Sequence, residues 1–339
     1  MREKTEILEC TLRDGANLAK DSQFTARETV AIASGLEAAG FERIEIGHSR
    51  GLNAPRTATA PADHEYLEVT SSVLKRARFG MFFMPEVGNA ENLRMASEHG
   101  MGFLRVGTNV TETYMTEEPI RLAKDLGMEV MSFLMKSYAF SVDKVVEQAR
   151  MVEHYGADVI TLADSAGGMV PSQVKEYIRS VKKNVGVLVG FHGHNNLGLA
   201  IANTLAAIEV GATLVDSTLL GIGRSAGNAQ TEVLLCILKK IGCDYGNIDL
   251  YKTMDLGESV IRPLIKLQGR NFGIDHIDAV MGYAEFHSSF LKFVSDVARE
   301  YKLDPRDLIV KVSEKEKVSL SKKLVLEAAH ILTQNKRTH

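Results

Sequence analysis

The sequence contains no tryptophan and only three cysteines among its 339 residues. Cys10, Cys236 and Cys243 are odd in number and form no closely spaced pair. This pattern argues against a disulfide framework. It is typical of reduced thiols in a cytoplasmic protein.

Long apolar runs are also missing, since none approaches the roughly 18–20 residues that cross a bilayer. The amino-terminal segment MREKTEILEC is charged and lacks the apolar core of a signal peptide. The net charge is only −3 and the basic residues are scattered, so the sequence predicts no nucleic-acid surface. We therefore expect a cytoplasmic protein that binds neither membrane nor nucleic acid.

Short apolar or β-branched runs recur along the first 245 residues and alternate with helical patterns. Alternation of this kind predicts a parallel sheet, and eight units match the size of a TIM (β/α)8 barrel. An open, doubly wound sheet is the alternative. The predicted strands are Ile7–Cys10, Arg43–Gly47, Phe79–Phe83, Phe103–Gly107, Glu129–Met135, Val159–Ala163, Leu188–His192 and Thr213–Ser217.

Helices are predicted between these strands from apolar spacing and capping residues. They span residues 25–39, 89–99, 141–155, 171–183, 196–210 and 228–241. After about residue 245 only helical patterns remain, over residues 250–267, 277–283, 287–301, 305–312 and 321–333. We therefore predict an α/β barrel domain over residues 1–262 and a helical C-terminal domain over residues 263–339.

Two histidines one residue apart, His192 and His194, lie at the end of the seventh predicted strand in the stretch FHGHNNLG. Side chains alternate along a strand, so both histidines point to the same side, and active sites of TIM barrels lie at the carboxyl ends of the strands. Asp14, after strand 1, is the best third metal ligand because strands 1, 7 and 8 are close in a closed barrel. Hydrogen bonding of both histidines in a polar loop is the alternative.

Other polar residues follow the predicted strands at the same end. Arg13 can clamp a carboxylate and stabilise an enolate oxygen, or can form a structural pair with Asp14 or Glu45. The glycine-rich loop at residues 221–228 can hold an anion on its backbone N–H groups, or can be a tight turn. Lys136 is a possible rival nucleophile.

These motifs resemble a known family. TLRDG at 11–15, HGHNNLG at 192–198 and GIGRSAGNA at 221–229 are similar to those of the DRE-TIM metallolyases, also called HMGL-like proteins. The resemblance is strongest to the 4-hydroxy-2-oxovalerate aldolases. It runs over nearly the whole chain, including the segment SSFLKFVSDVAREYKLDPRDLIV at 288–310.

The resemblance implies a divalent metal on Asp14, His192 and His194. Mn²⁺ is the first choice, with Mg²⁺, Co²⁺ and Zn²⁺ as alternatives. It also implies that Arg13 contacts a 2-oxo acid substrate and the developing pyruvate enolate, and that Ser165 lies near the substrate carboxylate. An acylating aldehyde dehydrogenase as partner and a homo-oligomeric state are further implications.

The chain departs from the aldolase pattern at three places. Asn17 replaces a histidine that serves as the base in the aldolases, and His287 replaces a tyrosine of the C-terminal domain. We hypothesise that His287 has taken over as acid/base, since an ordinary imidazole titrates near pH 6.5. A metal-bound water is the alternative base, and a packing role is the alternative for His287. The third departure is Arg224, because the aldolases have smaller residues in this loop. Arg224 and His48 are predicted to bind the substrate.

Three functions follow from these residues. The first is a metal-dependent aldolase that cleaves or forms a 4-hydroxy-2-oxo acid. The second is a Claisen-type acyltransferase that condenses acetyl-CoA with a 2-oxo acid. The third is a non-catalytic barrel that has become a scaffold, against which the intact ligand set argues.

Overall fold

The computed structural model describes residues 4–18, 23–56, 61–267 and 273–337. Eight parallel strands form a closed barrel in chain order, and the first strand pairs with the last. This architecture confirms the predicted TIM barrel, and the open-sheet alternative is wrong. The strands are β1 (Glu6–Glu9), β2 (Arg43–Ile46), β3 (Arg78–Phe83), β4 (Phe103–Asn109), β5 (Glu129–Met135), β6 (Val159–Asp164), β7 (Leu188–Gly193) and β8 (Leu214–Ser217).

Helices surround the barrel and continue beyond it. Around the barrel lie α1 (Ala26–Ala39), α2 (Asp63–Val73), α3 (Ala90–Glu98), α4 (Glu117–Asp125), α5 (Val142–Tyr155), α6 (Pro171–Asn184), α7 (Ala200–Glu209) and α8 (Thr231–Lys240). Then follow α9 (Leu250–Leu256), α10 (Arg262–Leu267), α11 (His276–Tyr283), α12 (Leu291–Glu300), α13 (Pro305–Ser313) and α14 (Lys322–Arg337). Among the described residues, no helix combines the length and the apolar character that a bilayer crossing needs.

Most predicted helices are present, but several boundaries differ. Helix α1 has the expected capping box of Thr25 and Glu28 and ends at Gly40. Helix α7 begins at Ala200 rather than at 196, because the Asn196 side chain donates hydrogen bonds to Ser225 and Asp278 instead. A π-helical turn interrupts the predicted helix 250–267. Helices α2 and α4 were not predicted.

The strands place apolar side chains on both of their faces. On the inside, Leu8, Phe103, Met131, Val159 and Leu214 form a buried cluster in the barrel. Outward-facing apolar side chains pack against the helices in the large core cluster. Burial on both faces explains why each strand shows as a continuous apolar run in the sequence.

A polar layer lies inside the barrel next to the apolar one. Arg105 is fully buried and forms ion pairs with Glu45 and Asp216. Buried charges are stable only when they are paired and hydrogen-bonded. The strands β2, β4 and β8 are thus tied together by one buried charged group.

The C-terminal helices have their own apolar cluster and contact the barrel loops. The cluster is built on residues such as Met281, Val294 and Leu308. Gly168 approaches Gly282 so closely that a Cβ on Gly168 would lie 2.3 Å from the Gly282 carbonyl oxygen. Lys136 Nζ donates to the Val318 carbonyl at 2.5 Å. The C-terminal helices therefore lie beside the loops that follow the strands.

Candidate metal centre and substrate cavity

Asp14, His192 and His194 converge on one point at the carboxyl end of the barrel. His192 Nε2 lies 3.4 Å from His194 Nε2 and 3.9 Å from Asp14 Oδ2. All three residues are buried, and one potential ligand atom from each lies within 4.8 Å of the others. His192 is on β7, His194 follows it, and Asp14 lies in the turn after β1 rather than on the strand. The structure thus brings the three predicted ligands together.

The other ring nitrogen of each histidine has a hydrogen-bond acceptor. His192 Nδ1 lies 2.8 Å from Asp216 Oδ2, and His194 Nδ1 lies 3.1 Å from the Gly227 carbonyl oxygen. Because a carbonyl or carboxylate oxygen only accepts, each Nδ1 carries the proton and each Nε2 presents a lone pair. Burial lowers the pKa of His194 to about 3, in spite of the nearby negative charge of Asp14. This is the arrangement found in histidines that bind metals.

Asp14 is held as a carboxylate by surrounding donors. Its Oδ1 accepts from Arg13 Nη1 at 3.1 Å and from Asn17 Nδ2 at 3.0 Å, and its Oδ2 accepts from Asn228 Nδ2 at 2.5 Å. Burial acts to raise the pKa of Asp14, but the charge of Arg13 lowers it well below its usual range. Two imidazole lone pairs and one carboxylate therefore fit a divalent metal such as Mn²⁺.

The loop after β8 supports this centre. Gly227 N donates to the Arg224 carbonyl oxygen and Asn228 N donates to the Gly221 carbonyl oxygen. These two N–H groups are used inside the loop, as in a tight turn. A Cβ on Gly223 would lie 2.1 Å from Asn228 Nδ2 and 3.1 Å from Asp14 Oδ2. Glycine is thus needed here for close approach.

Arg13 forms both of the structural pairs considered for it. Its Nε donates to Glu45 Oε2 at 2.8 Å and its Nη1 donates to Asp14. Its guanidinium carbon lies 4.9 Å from the centre of the Phe82 ring. Its Nη2 is buried and has no hydrogen-bond partner among the described residues. Arg13 is therefore fixed in place with one donor left over beside the ligand cluster.

A cavity of about 480 Å³ opens at this point. Pockets of this size hold small molecules. The other predicted site residues line it together with both histidines: Arg13, Asn17, His48, Ser165, Arg224 and His287. Apolar side chains form part of the wall, namely Phe82, Met84, Phe133 and Met135. All of the predicted site residues thus lie at one mouth of the barrel.

His287 comes from the C-terminal segment and is buried against the cavity. Its Nε2 lies 2.7 Å from Arg224 Nη1, and its Nδ1 lies 2.7 Å from Ser289 Oγ. The guanidinium can only donate, so Nε2 accepts from Arg224, and the Ser289 backbone N–H points at Nδ1 from 3.3 Å. Burial, then Arg224 and Lys136, lower the pKa of His287 well below 6.5. The expectation of an ordinary pKa was therefore wrong, and its ring is neutral at pH 7.

Lys136 and Ser165 are neighbours at the ends of β5 and β6. The Lys136 backbone N–H donates to Ser165 Oγ at 2.9 Å. Lys136 has a left-handed backbone, with φ of 57°, and lines the cavity. Burial, then Arg224, lower the pKa of its amine to about 8. His48 accepts from Arg50 N at 3.0 Å, and burial lowers its pKa.

Sequence reasoning missed two residues that position the ligands. Asp216 accepts from His192 and pairs with Arg105, and Asn228 contacts Asp14. Asp216 lies on β8 at an inward position, so its charge inside a predicted barrel strand was the available signal. Asn228 lay inside the predicted helix 228–241, but it forms an isolated bridge with His194, and α8 begins only at Thr231.

Comparison with known proteins agrees with this geometry. Residues 4–260 match the HMGL-like family and residues 273–334 match the DmpG-like communication domain. Among solved structures, the N-terminal domain of a putative aldolase from Bacteroides vulgatus has a TM-score of 0.73 and 21% identity, covering 88% of this chain and 98% of that one. The Y628A carboxyl transferase domain of Rhizobium etli pyruvate carboxylase with pyruvate has a TM-score of 0.80 and 16% identity, covering 98% of this chain and 62% of that one. At these identities the likeness concerns the fold.

Curated sequences are much more similar. The 4-hydroxy-2-oxovalerate aldolase of Carboxydothermus hydrogenoformans is 43% identical over 98% of this chain and 99% of its own length. That of Pelotomaculum thermopropionicum is 41% identical over 97% of this chain and 96% of its own. The chain therefore belongs to the family of the 4-hydroxy-2-oxovalerate aldolases, in which an HMGL-like barrel is followed by a DmpG-like communication domain.

Proposed function

We propose that this protein is a metal-dependent carbon–carbon lyase that cleaves a 4-hydroxy-2-oxo acid, such as 4-hydroxy-2-oxovalerate, to pyruvate and an aldehyde. The observation that carries the proposal is the convergence of Asp14, His192 and His194, with both histidines lining the cavity. Similarity to curated aldolases over nearly the full length supports the same reaction. These comparisons do not favour the acyltransferase alternative.

The cleavage breaks the bond between C3 and C4 and leaves the electron pair on the pyruvate part as an enolate. Asp14, His192 and His194 would hold the divalent ion, and when bound it stabilises negative charge on the 2-oxo oxygen as a Lewis acid. Arg13 lies beside these ligands with Nη2 free. This donor can stabilise the same oxygen or the adjacent carboxylate of the substrate. Ser165 and His48 line the remaining wall and orient the substrate.

A base must take the proton of the 4-hydroxyl group, and Asn17 has no titratable group for this task. We assign this step to His287, which reaches the cavity from the C-terminal segment. Its lowered pKa keeps the ring neutral and able to accept a proton at pH 7. Its Nε2 lone pair accepts from Arg224 in the structure, so Arg224 has to turn towards a bound anion before Nε2 can act.

Pyruvate release from 4-hydroxy-2-oxovalerate tests the function directly. The metal-stripped protein is assayed with and without added Mn²⁺, beside the variants Asp14→Asn and His194→Ala. We expect Mn²⁺-dependent pyruvate formation that both variants lose. Metal-bound wild-type protein that releases no pyruvate would refute the proposal for this substrate. Mg²⁺, Co²⁺ and Zn²⁺ in parallel assays identify the ion that restores the highest rate.

We further propose that the C-terminal segment 263–339 is a separate domain that associates with an acylating aldehyde dehydrogenase and with further copies of this chain. The match to a DmpG-like communication domain supports an aldehyde-handling partner. The distinct apolar cluster of this segment supports the domain division. Co-purification with a co-expressed acylating aldehyde dehydrogenase, followed by light scattering, measures both associations. A chain that elutes as a monomer and alone would contradict them.

A further inference from the structure

Two cations of the cavity wall have no carboxylate partner. Arg224 and Lys136 both line the cavity, and no carboxylate oxygen of the described residues lies within 4.0 Å of either side chain. Arg224 Nη1 donates to the neutral His287, and Lys136 Nζ donates to a backbone carbonyl. Arg224 Nε is buried with no hydrogen-bond partner in the part of the chain that the structure describes. This wall therefore carries two positive charges with no carboxylate in direct contact, although Asp14 acts on Arg224 from a greater distance.

The two fully buried arginines of the barrel are compensated. Arg13 pairs with Asp14 and Glu45, and Arg105 pairs with Glu45 and Asp216. Burial lowers the pKa of Arg224, and burial together with Arg224 lowers that of Lys136. Leaving two like charges unpaired in a partly dehydrated wall costs free energy. An anionic ligand group between them would remove that cost.

The cavity wall carries cationic groups besides Arg13, so it can meet more than one acidic group of a substrate. Arg13 and the ligand cluster serve the 2-oxo acid end, as proposed above. Of the apolar side chains in the wall, Phe82 and Phe133 lie against Arg13, so only Met84 and Met135 remain to face a terminal methyl group. A substrate that ends in methyl would nevertheless leave Arg224 and Lys136 unpaired. The arrangement therefore fits a substrate with an anionic group at its far end.

We propose that the preferred substrate is a 4-hydroxy-2-oxo diacid, whose second carboxylate binds between Arg224 and Lys136. This inference rests on the proposed aldolase function and names its substrate class. With 4-hydroxy-2-oxoglutarate, the base takes the 4-hydroxyl proton and the C3–C4 bond breaks. C4 becomes the aldehyde carbon of glyoxylate, and C3 is reprotonated to give pyruvate, with no net oxidation or reduction. The second carboxylate also draws Arg224 away from His287 Nε2.

Binding of two unreactive 2-oxo acids tests the second carboxylate site. 2-Oxoglutarate and 2-oxovalerate have the same five-carbon chain and differ in a terminal carboxylate or methyl group. Calorimetric titration of the Mn²⁺-loaded protein should give a Kd for 2-oxoglutarate at least about tenfold lower, since charge-assisted hydrogen bonds are strong. Arg224→Met and Lys136→Met should each reduce this preference. Lys292→Met, at an exposed helix position, is the control and should keep it.

Steady-state rates separate this inference from the aldolase function. We expect kcat/KM for pyruvate release to be at least about tenfold higher with 4-hydroxy-2-oxoglutarate than with 4-hydroxy-2-oxovalerate, and Lys136→Met should lower that ratio. Cleavage of 4-hydroxy-2-oxovalerate with equal or tighter binding of 2-oxovalerate would overturn the diacid inference alone. Absence of binding and cleavage with all four compounds would overturn the aldolase function and the inference with it.

Discussion

At the scale of single residues, the site differs from the expected aldolase pattern in where its titratable group lies. The side chain of Asn17 donates to Asp14 and so supports a metal ligand, whereas His287 approaches the cavity from the other side. An amide and an imidazole cannot exchange roles in proton transfer. The identity of the base is therefore the main question at this scale.

His287→Phe tests the assignment of the base. We expect kcat for pyruvate release to fall about 10²–10⁴-fold, the usual contribution of a general base. The double variant Asn17→His/His287→Phe should recover part of the rate, because it returns an imidazole to the place that the aldolase pattern uses. Mn²⁺ affinity, measured in parallel, should stay within a few-fold for His287→Phe. Activity of His287→Phe within a few-fold of wild type would show that another group is the base.

The pH dependence of kcat/KM follows from the direction of the pKa shift of His287. A base works in its deprotonated form, so activity is present above its pKa and is lost as the pH falls through it. Burial and Arg224 lower this pKa, which moves the acid limb below pH 6.5. With 4-hydroxy-2-oxovalerate, which has no second carboxylate for Lys136, we expect a constant kcat/KM between pH 8 and 6.5 and a decline only at lower pH. An acid limb centred above pH 6.5 in wild type would contradict the assignment.

At the scale of elements, the turns after β1 and β8 bring Asp14 and Asn228 within hydrogen-bond distance of each other. Gly223→Ala places a methyl group against Asn228 Nδ2 and Asp14 Oδ2. We expect Mn²⁺ affinity to fall by about tenfold or more, as for loss of groups that orient metal ligands. Gly186→Ala is the matched control, because its added Cβ meets only Glu153 at 3.4 Å. Unchanged affinity in Gly223→Ala, measured by metal titration, would speak against this role of the loop.

The buried arginine that joins β2, β4 and β8 makes a prediction about stability. Arg105→Met leaves Asp216 and Glu45 with one cation fewer inside the barrel. Breaking a buried ion pair in this way costs about 3–5 kcal/mol in the free energy of unfolding. Arg121→Met removes an exposed helical ion pair with Glu117. This variant should change the free energy of unfolding by less than about 0.5 kcal/mol. Urea unfolding curves compare the two variants, and equal stabilities would contradict the argument.

The sequence predicted the strands well because burial on both faces gives continuous apolar runs. All eight were located to within two residues. It could not show α2, whose segment DHEYLEVTSSV has many β-branched and hydroxyl residues. It also placed residues 196–199 in a helix, since the hydrogen bonds that Asn196 makes with Ser225 and Asp278 depend on tertiary contacts.

The metal-ligand set of the candidate site could also be predicted from the sequence, but features that depend on tertiary contacts could not. The pattern His-x-His after a strand, with Asp14 after the first strand, was enough to predict a shared centre, because barrel closure brings these ends together. The pKa of His287 could not be predicted, since its cause is the burial of the ring beside Arg224. The contact of Asn228 with Asp14 needed the fold of the loop after β8.

At the scale of the whole molecule, the cavity is completed by both parts of the chain. Arg13, His192 and His194 come from the barrel, and His287 and Ser289 come from the segment beyond it. The segment that matches the DmpG-like communication domain thus contributes directly to the wall of the candidate active site. Changes in the position of the C-terminal helices would therefore alter the site itself.

One measurement tests the central claim most directly. The metal-stripped full chain is titrated with Mn²⁺, and the bound ion is counted by electron paramagnetic resonance while pyruvate release from the 4-hydroxy-2-oxo acids is followed in the same samples. We expect the rate to rise in proportion to bound ion and to saturate near one ion per chain, as for a single catalytic metal. Pyruvate release that is already complete without bound ion, or full occupancy without any release, would contradict the account.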